Sequence, residues 1–252
     1  MARIITMFIL TIAFHPMASL EAFDKEFIGV NYKGFPQSDS EITADIELLS
    51  QHFSFIRTYM DIFTPQHAVV PIVDAHNKEN PTRHIGVAVG VGLTPGDTKK
   101  SFEELDIAIS QANQYPNTVK VIVVGNENLG NVSEADLIMF MDYVRENLKQ
   151  PTSVAVTTCQ TWGVWAGHPK LGDHVDFILA NIYPYWDGAP INEWNQYFLQ
   201  DYNKLKDTFP GKEIVIGETG WPSAGQQVMV DGHLTGIPSL ANEEQYILEY
   251  AN

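Results

Sequence analysis

Two glutamates in this chain end runs of branched apolar residues, and each follows a glycine within two positions. Val121-Ile122-Val123-Val124-Gly125-Asn126 leads into Glu127, and Ile214-Val215-Ile216-Gly217 leads into Glu218. An ionisable side chain at the end of an apolar strand is costly to bury without a purpose or a partner. One such glutamate is most simply a solvated loop residue; two of them invite a chemical reading. Carboxylates about 5–5.5 Å apart suit glycoside cleavage with retention. One attacks the anomeric carbon, and the other protonates the leaving oxygen and then activates water. Two roles need two environments, one favouring the charged form and one the neutral acid.

Other residues at strand ends fit that chemistry. Arg57 is a cation suited to keeping Glu218 ionised, and Asn126 can donate to a sugar hydroxyl. Tyr183, Tyr185 and Trp221 can stack on the apolar faces of pyranose rings. Asn31-Tyr32 and Arg57-Thr58-Tyr59 close the first two strands. No lysine ends a strand, Lys33 being the nearest, which counts against Schiff-base chemistry. The eight histidines are scattered without HExxH or Cys/His spacing, so neither a metal nor another cofactor is expected. Gly86-Val-Ala-Val-Gly-Val-Gly92 has glycines but no following GK[ST], and reads as a core strand. Cys159, the single cysteine, reads as packing.

Those residues need a scaffold that gathers strand ends. Strands are expected at 27–31, 53–58, 85–91, 119–124, 153–157, 175–182 and 214–217. Helical patterns at 40–51, 65–77, 101–113, 133–149, 192–208 and 243–250 alternate with them, with Ser40 and Ser133 as caps and only a short turn of helix at 168–173. Strands apolar on both faces, alternating with helices, imply a parallel sheet covered by helices. Seven such units at this spacing predict an α/β chain forming a (β/α)8 TIM barrel that lacks its eighth strand. Its functional residues would lie at the carboxyl ends of the strands. No linker divides residues 23–252, read as one barrel domain truncated at its C-terminus.

Arg3 followed by an apolar run from Ile4 to Phe14, His15-Pro16 and small residues gives residues 1–22 the order of a secretory signal peptide or an N-terminal anchor. The run is short for a bilayer span. A secreted, periplasmic or cell-surface monomer follows as the expectation. The formal net charge of −16 repels phosphate backbones and anionic lipid, so nucleic acid is excluded as a partner and membrane contact is left to the N-terminal anchor alone. A neutral polysaccharide meets no such penalty.

Ile-Val-Ile-Gly-Glu-Thr-Gly-Trp-Pro-Ser at 214–223 resembles the signature of glycoside hydrolase family 17, the β-1,3-glucanase family of the retaining (β/α)8 clan. Val-Gly-Asn-Glu at 124–127 resembles that family's acid/base motif, Gly29-Val30-Asn31-Tyr32 its first strand and Arg57-Thr58-Tyr59 its second. The leading GVNYKGF is most similar to bacterial exported members and fungal cell-wall enzymes. The resemblance implies that Glu218 is the nucleophile and Glu127 the general acid/base. It implies also that Asn126 holds the 2-hydroxyl of the reacting sugar, with Tyr32 and Tyr183 lining that subsite; Arg57, Tyr59, Tyr185 and Trp221 are the further candidates for binding substrate. The substrate class implied is β-1,3-glucan, cleaved by water or transferred to another sugar. A non-catalytic glucan-binding barrel is the reading of a different class, since the family's eighth strand has no counterpart here.

Overall fold

The computed structural model describes residues 9–11, 28–32, 38–59, 69–149, 153–230 and 233–250. Seven parallel strands follow one another around a barrel: β2 (Ile28–Tyr32), β3 (Phe55–Thr58), β4 (Gly86–Val91), β5 (Val119–Asn126), β6 (Ala155–Thr161), β7 (Ile178–Asn181) and β8 (Ile214–Glu218). No eighth parallel strand occurs among the described residues. The seam between β8 and β2 holds instead a short strand, β1 (Ile9–Thr11), antiparallel to both neighbours. The signal-peptide or anchor reading of 1–22 otherwise lies outside the described residues, as do Phe27 and the first turn expected near Pro65.

Strand alternation divides the core in two. Side chains such as Ala88, Val121, Val123, Phe177, Leu179 and Val215 fill the barrel. Their neighbours in sequence, including Ile56, Val87, Val89, Ile122, Val156 and Ile216, pack outward against the helices. Both sets are buried, which is why the strands read as continuous apolar runs.

The helices are α1 (Asp39–Leu49), α2 (Val69–Glu79), α3 (Thr98–Gln114), α4 (Glu134–Asn147), α5 (Trp162–Gly167), α6 (Trp194–Thr208) and α7 (Leu240–Tyr250). Ser133 caps α4 by accepting from the Asp136 amide at 3.1 Å, as its position before an apolar run predicts. The cap of α1 is Ser38 rather than Ser40: Ser38 and Glu41 form a reciprocal capping box two residues upstream. Besides β1, two parts of the fold have no counterpart among the expected strands and helices. One is α5, and the other is a hairpin of β9 (Val228–Val230) and β10 (His233–Gly236). Each is too short for its periodicity to stand out.

Candidate active site

Both glutamates sit where their strand carries one residue more than its neighbour. Between Val123↔Thr157 and Asn126↔Cys159, β5 advances three residues while β6 advances two. Between Ala180↔Ile216 and Asn181↔Glu218, β8 advances two while β7 advances one. Such bulges break the alternation and re-aim the following side chain. At β8 the extra residue is Gly217, whose hypothetical Cβ would meet Cys159 Sγ at 2.7 Å and Asn181 Oδ1 at 2.8 Å. Only glycine fits there. At β5 the turn uses left-handed backbone at Gly125 (φ 77°) and at Glu127 itself (φ 51°), unusual for a residue with a side chain. Asn128 Oδ1 accepts from the Asn126 amide at 2.6 Å, and the Glu127 amide donates to the Cys159 carbonyl at 2.8 Å.

Glu218 is buried and accepts from three donors. Arg57 Nη1 lies 3.2 Å and the Tyr59 hydroxyl 2.5 Å from Oε1, and the Tyr183 hydroxyl 2.8 Å from Oε2. A carboxylate receiving two phenols and a guanidinium is placed as an acceptor. Burial pushes both phenols well above the ordinary tyrosine range, and the Glu218 charge adds to it, so both remain O–H donors. Arg57 is itself buried. Burial alone would lower its pKa, but its polar neighbours, the Glu218 carboxylate among them, outweigh that and raise it. The guanidinium also donates to Asn126 Oδ1 at 2.8 Å and to the Gly217 carbonyl at 3.3 Å, and it lies 4.9 Å from the centre of the Tyr59 ring.

Glu127 lives in the opposite surroundings. It is exposed, and among the described residues one side chain donates to it: Asn181, from Nδ2 to Oε1 at 2.7 Å. Asn181 is the last residue of β7 and Tyr183 follows it by two positions. One strand end therefore supplies a donor to each glutamate. Asn126 is held through Oδ1 by Arg57, and among the described residues nothing accepts from its side-chain amide nitrogen, which can donate to a ligand.

Glu127, Glu218, Asn126, Arg57, Tyr59 and Tyr183 are thus gathered at one mouth, and three further candidates are not. The Tyr32 hydroxyl donates to Asp45 on α1 at 2.9 Å, and its ring packs with the outer core. The neighbouring Asn31 takes the inward position and donates to the Gly217 carbonyl at 3.1 Å, so alternation sends Tyr32 to the helix side. Tyr185 and Trp221, 1% and 4% exposed, belong to a buried aromatic cluster with Trp194, Tyr246 and Tyr250. Their rings meet edge to face at 5.3 Å. Trp221 Nε1 donates to the Ile237 carbonyl at 2.8 Å, and the Tyr185 hydroxyl donates to the Gln226 carbonyl. With both faces covered, neither ring can stack on a sugar.

Sequence reasoning passed over Asn181 and Trp186. Trp186 is 67% exposed, beside Tyr185 in the loop after β7, and is the aromatic ring there that faces solvent. Its place in the Tyr-Pro-Tyr-Trp run was visible, but which ring faces outward was not. Among the described residues no three His, Cys, Asp or Glu side chains group to hold a metal.

A barrel of parallel strands with two glutamates raised by bulges at its mouth has the layout of a (β/α)-barrel glycoside hydrolase. The chain belongs to the BtgE/BtgC glycoside hydrolase domain family, whose model matches residues 28–252, and it is of the family 17 type. It is 23% identical over 236 residues to a glucan endo-1,3-beta-glucosidase, btgC, of Emericella nidulans, covering 86% of this chain and 36% of that protein. The chain spans about a third of the length of the curated relatives it matches. Its fold is similar to that of an endo-laminarinase from Formosa Hel1_33_131, with a TM-score of 0.74 and 18% identity over 90% of this chain and 75% of that one. It is similar also to a Rhizomucor miehei beta-1,3-glucanosyltransferase, with a TM-score of 0.71 and 22% identity over 87% and 79%.

Proposed function

We propose that this chain cleaves β-1,3-glucan with retention, Glu218 acting as nucleophile and Glu127 as general acid/base. The observation that carries the assignment is the unequal partnering of the two side chains. Glu218 is buried against a guanidinium that can only donate and that shares Oε1 with the Tyr59 hydroxyl. The Tyr183 hydroxyl donates to Oε2, so both oxygens are placed as acceptors and Glu218 offers a lone pair. Glu127 is exposed with one donor on Oε1, which leaves the rest of the carboxyl group for exchange with a leaving oxygen and then with water.

In the first step Glu218 forms a bond to the anomeric carbon as the glycosidic bond breaks, and the leaving oxygen takes a proton from Glu127. In the second, Glu127 takes a proton from an incoming hydroxyl whose oxygen replaces Glu218 at that carbon. Asn126 would bind the 2-hydroxyl, with its amide oxygen already held by Arg57. Tyr183 and Tyr59 follow Glu218 through the reaction, their hydrogen bonds weakening as charge leaves it.

The nature of the incoming hydroxyl separates hydrolysis from transglycosylation. The exposed Trp186 ring favours a second sugar resting at the mouth, a feature both outcomes use. The likeness to relatives named as glucan endo-1,3-beta-glucosidases supports the linkage, and the apolar leader order supports export. Among the described residues no helix is long and apolar enough to cross a membrane.

The test is incubation with laminarin and with defined laminari-oligosaccharides, following product size and anomeric configuration. The expected products are shorter chains released first as the β-anomer. Chains longer than the input would assign the transferase outcome. Binding without bond cleavage would replace catalysis by carbohydrate recognition, and release of the α-anomer would overturn the covalent route.

A further inference from the structure

Cys159 lies inside the barrel with no solvent exposure, yet it does more than fill space. Its thiol donates to Asn181 Oδ1 at 2.9 Å, and the same amide donates from Nδ2 to Glu127 Oε1 at 2.7 Å. Close to the thiol lies the Arg57 guanidinium, which holds Glu218. We propose that Asn181 is a positioning residue for the acid/base Glu127, and that the Cys159 thiol fixes which end of the Asn181 amide faces that carboxylate. The inference rests on the catalytic reading above.

The physical need is specific. A primary amide has a donating and an accepting end of nearly equal size, and turned the wrong way it would present an oxygen to the carboxylate. A donor placed opposite Oδ1 removes that choice. A thiol can serve only while protonated, and burial pushes Cys159 up to about 12, with Arg57 offsetting only part of the effect. Sulfur and amide are held together here, because both occupy the slot left by the missing side chain of Gly217. The residue before the nucleophile thus makes room for the group that orients the acid. Asn181 is 1% exposed, so no water competes freely for its oxygen. With Oε1 of Glu127 pinned, Oε2 is left to carry the proton toward the leaving oxygen.

Two readouts test this, one kinetic and one independent of turnover. Cys159→Ala removes the donor, Cys159→Ser keeps one, and Asn181→Ala removes the amide. For Cys159→Ala, kcat/KM on laminari-oligosaccharides should fall about tenfold, while an aryl β-glucoside with a nitrophenolate leaving group, which needs little protonation, changes less than about twofold. Cys159→Ser should recover most of the loss. In 15N-labelled protein the side-chain NH2 pair of Asn181, identified by its disappearance in Asn181→Ala, should be sharp and slow to exchange with solvent. It should broaden in Cys159→Ala and return in Cys159→Ser. An unaltered amide pair in Cys159→Ala overturns the role of the thiol, and an equal loss on both substrates reassigns the sulfur to packing. If the native chain cleaves neither substrate, the catalytic reading fails while the amide spectra still decide the orientation.

Discussion

The ends of β5 and β8 use the same device to opposite effect. Each strand gains one residue against its neighbour just before its glutamate, and each does so at a glycine. At β8 the result is a buried side chain tied to three donors; at β5 it is an exposed side chain with one amide against it. The partners, more than the strand ends, make the difference. Arg57 and Tyr59 enter from the end of β3 and both donate to Glu218, while among the described residues no cation or phenol donates to Glu127. Two identical side chains are thus made chemically unlike by what faces them, which is what a displacement with an acid and a nucleophile requires.

The comparison breaks most completely at Glu218. Glu218→Gln replaces the attacking carboxylate by a weakly nucleophilic amide and leaves Arg57 buried without that counter-charge. We expect turnover to fall more than about 10⁴-fold on natural and activated substrates alike. The fold should survive, as judged by circular dichroism. Glu127→Gln should separate the two substrate kinds instead. A loss of about 10²–10⁴-fold on laminari-oligosaccharides is expected, with the bond-breaking step largely spared when the leaving group is nitrophenolate. Equal losses on both kinds would erase the distinction between the glutamates.

A second contrast, between Trp221 and Trp186, sharpens the first because it separates holding the site from touching the substrate. Trp221→Ala opens a cavity in the cluster of Tyr185, Trp194, Tyr246 and Tyr250 and should cost about 3–5 kcal/mol in denaturant unfolding. Trp186→Ala should leave stability within about 0.5 kcal/mol. Its effect should fall on substrate, raising KM for longer oligosaccharides by about fivefold, the loss of roughly 1 kcal/mol of ring contact. If Trp221→Ala were stable and bound glucan poorly, the buried assignment would be wrong.

How far these features could be read from residue order follows from the same geometry. The seven parallel strands were legible because both their faces are apolar, as at Gly86–Val91, and the glutamates because each interrupts such a run. Arg57 was legible as the one cation at a strand end. Tyr32 and Tyr185 were misplaced because a tyrosine at a strand end can turn either way. The deciding facts, Asp45 on α1 and the Gln226 carbonyl, lie 13 and 41 residues away. Trp221 sits inside the most telling motif of the chain, yet its partners Tyr246 and Tyr250 come from α7, so its burial is a tertiary fact. Asn181 was hidden for a plainer reason. It ends an ordinary strand, and an asparagine there gains meaning only when the β5 bulge carries Glu127 over to it.

The mildest expected effect concerns another buried carboxyl, one with an acid beside it where Glu218 has a cation. Asp201 on α6 is 4% exposed, and among the described residues its Oδ2 meets no N–H or hydroxyl donor. Its neighbour is Asp187, in the loop that follows Trp186. Burial first, and then the Asp187 charge, push Asp201 up to about 7, and burial raises Asp187 as well. The folded protein therefore binds a proton at Asp201 that the unfolded chain releases near its ordinary value of 3.8. Its contribution to stability is full below about pH 4 and is lost as the pH rises toward 7. Denaturant midpoints measured across that window should fall more steeply for the native chain than for Asp201→Asn, which keeps the shape and cannot release a proton. The amide can still donate to Asp187, so above pH 7 the variant should be the more stable of the two. Parallel curves from pH 4 to 7 would mean that the Asp187–Asp201 contact is solvated and that the β7–α6 loop is tied down by other groups.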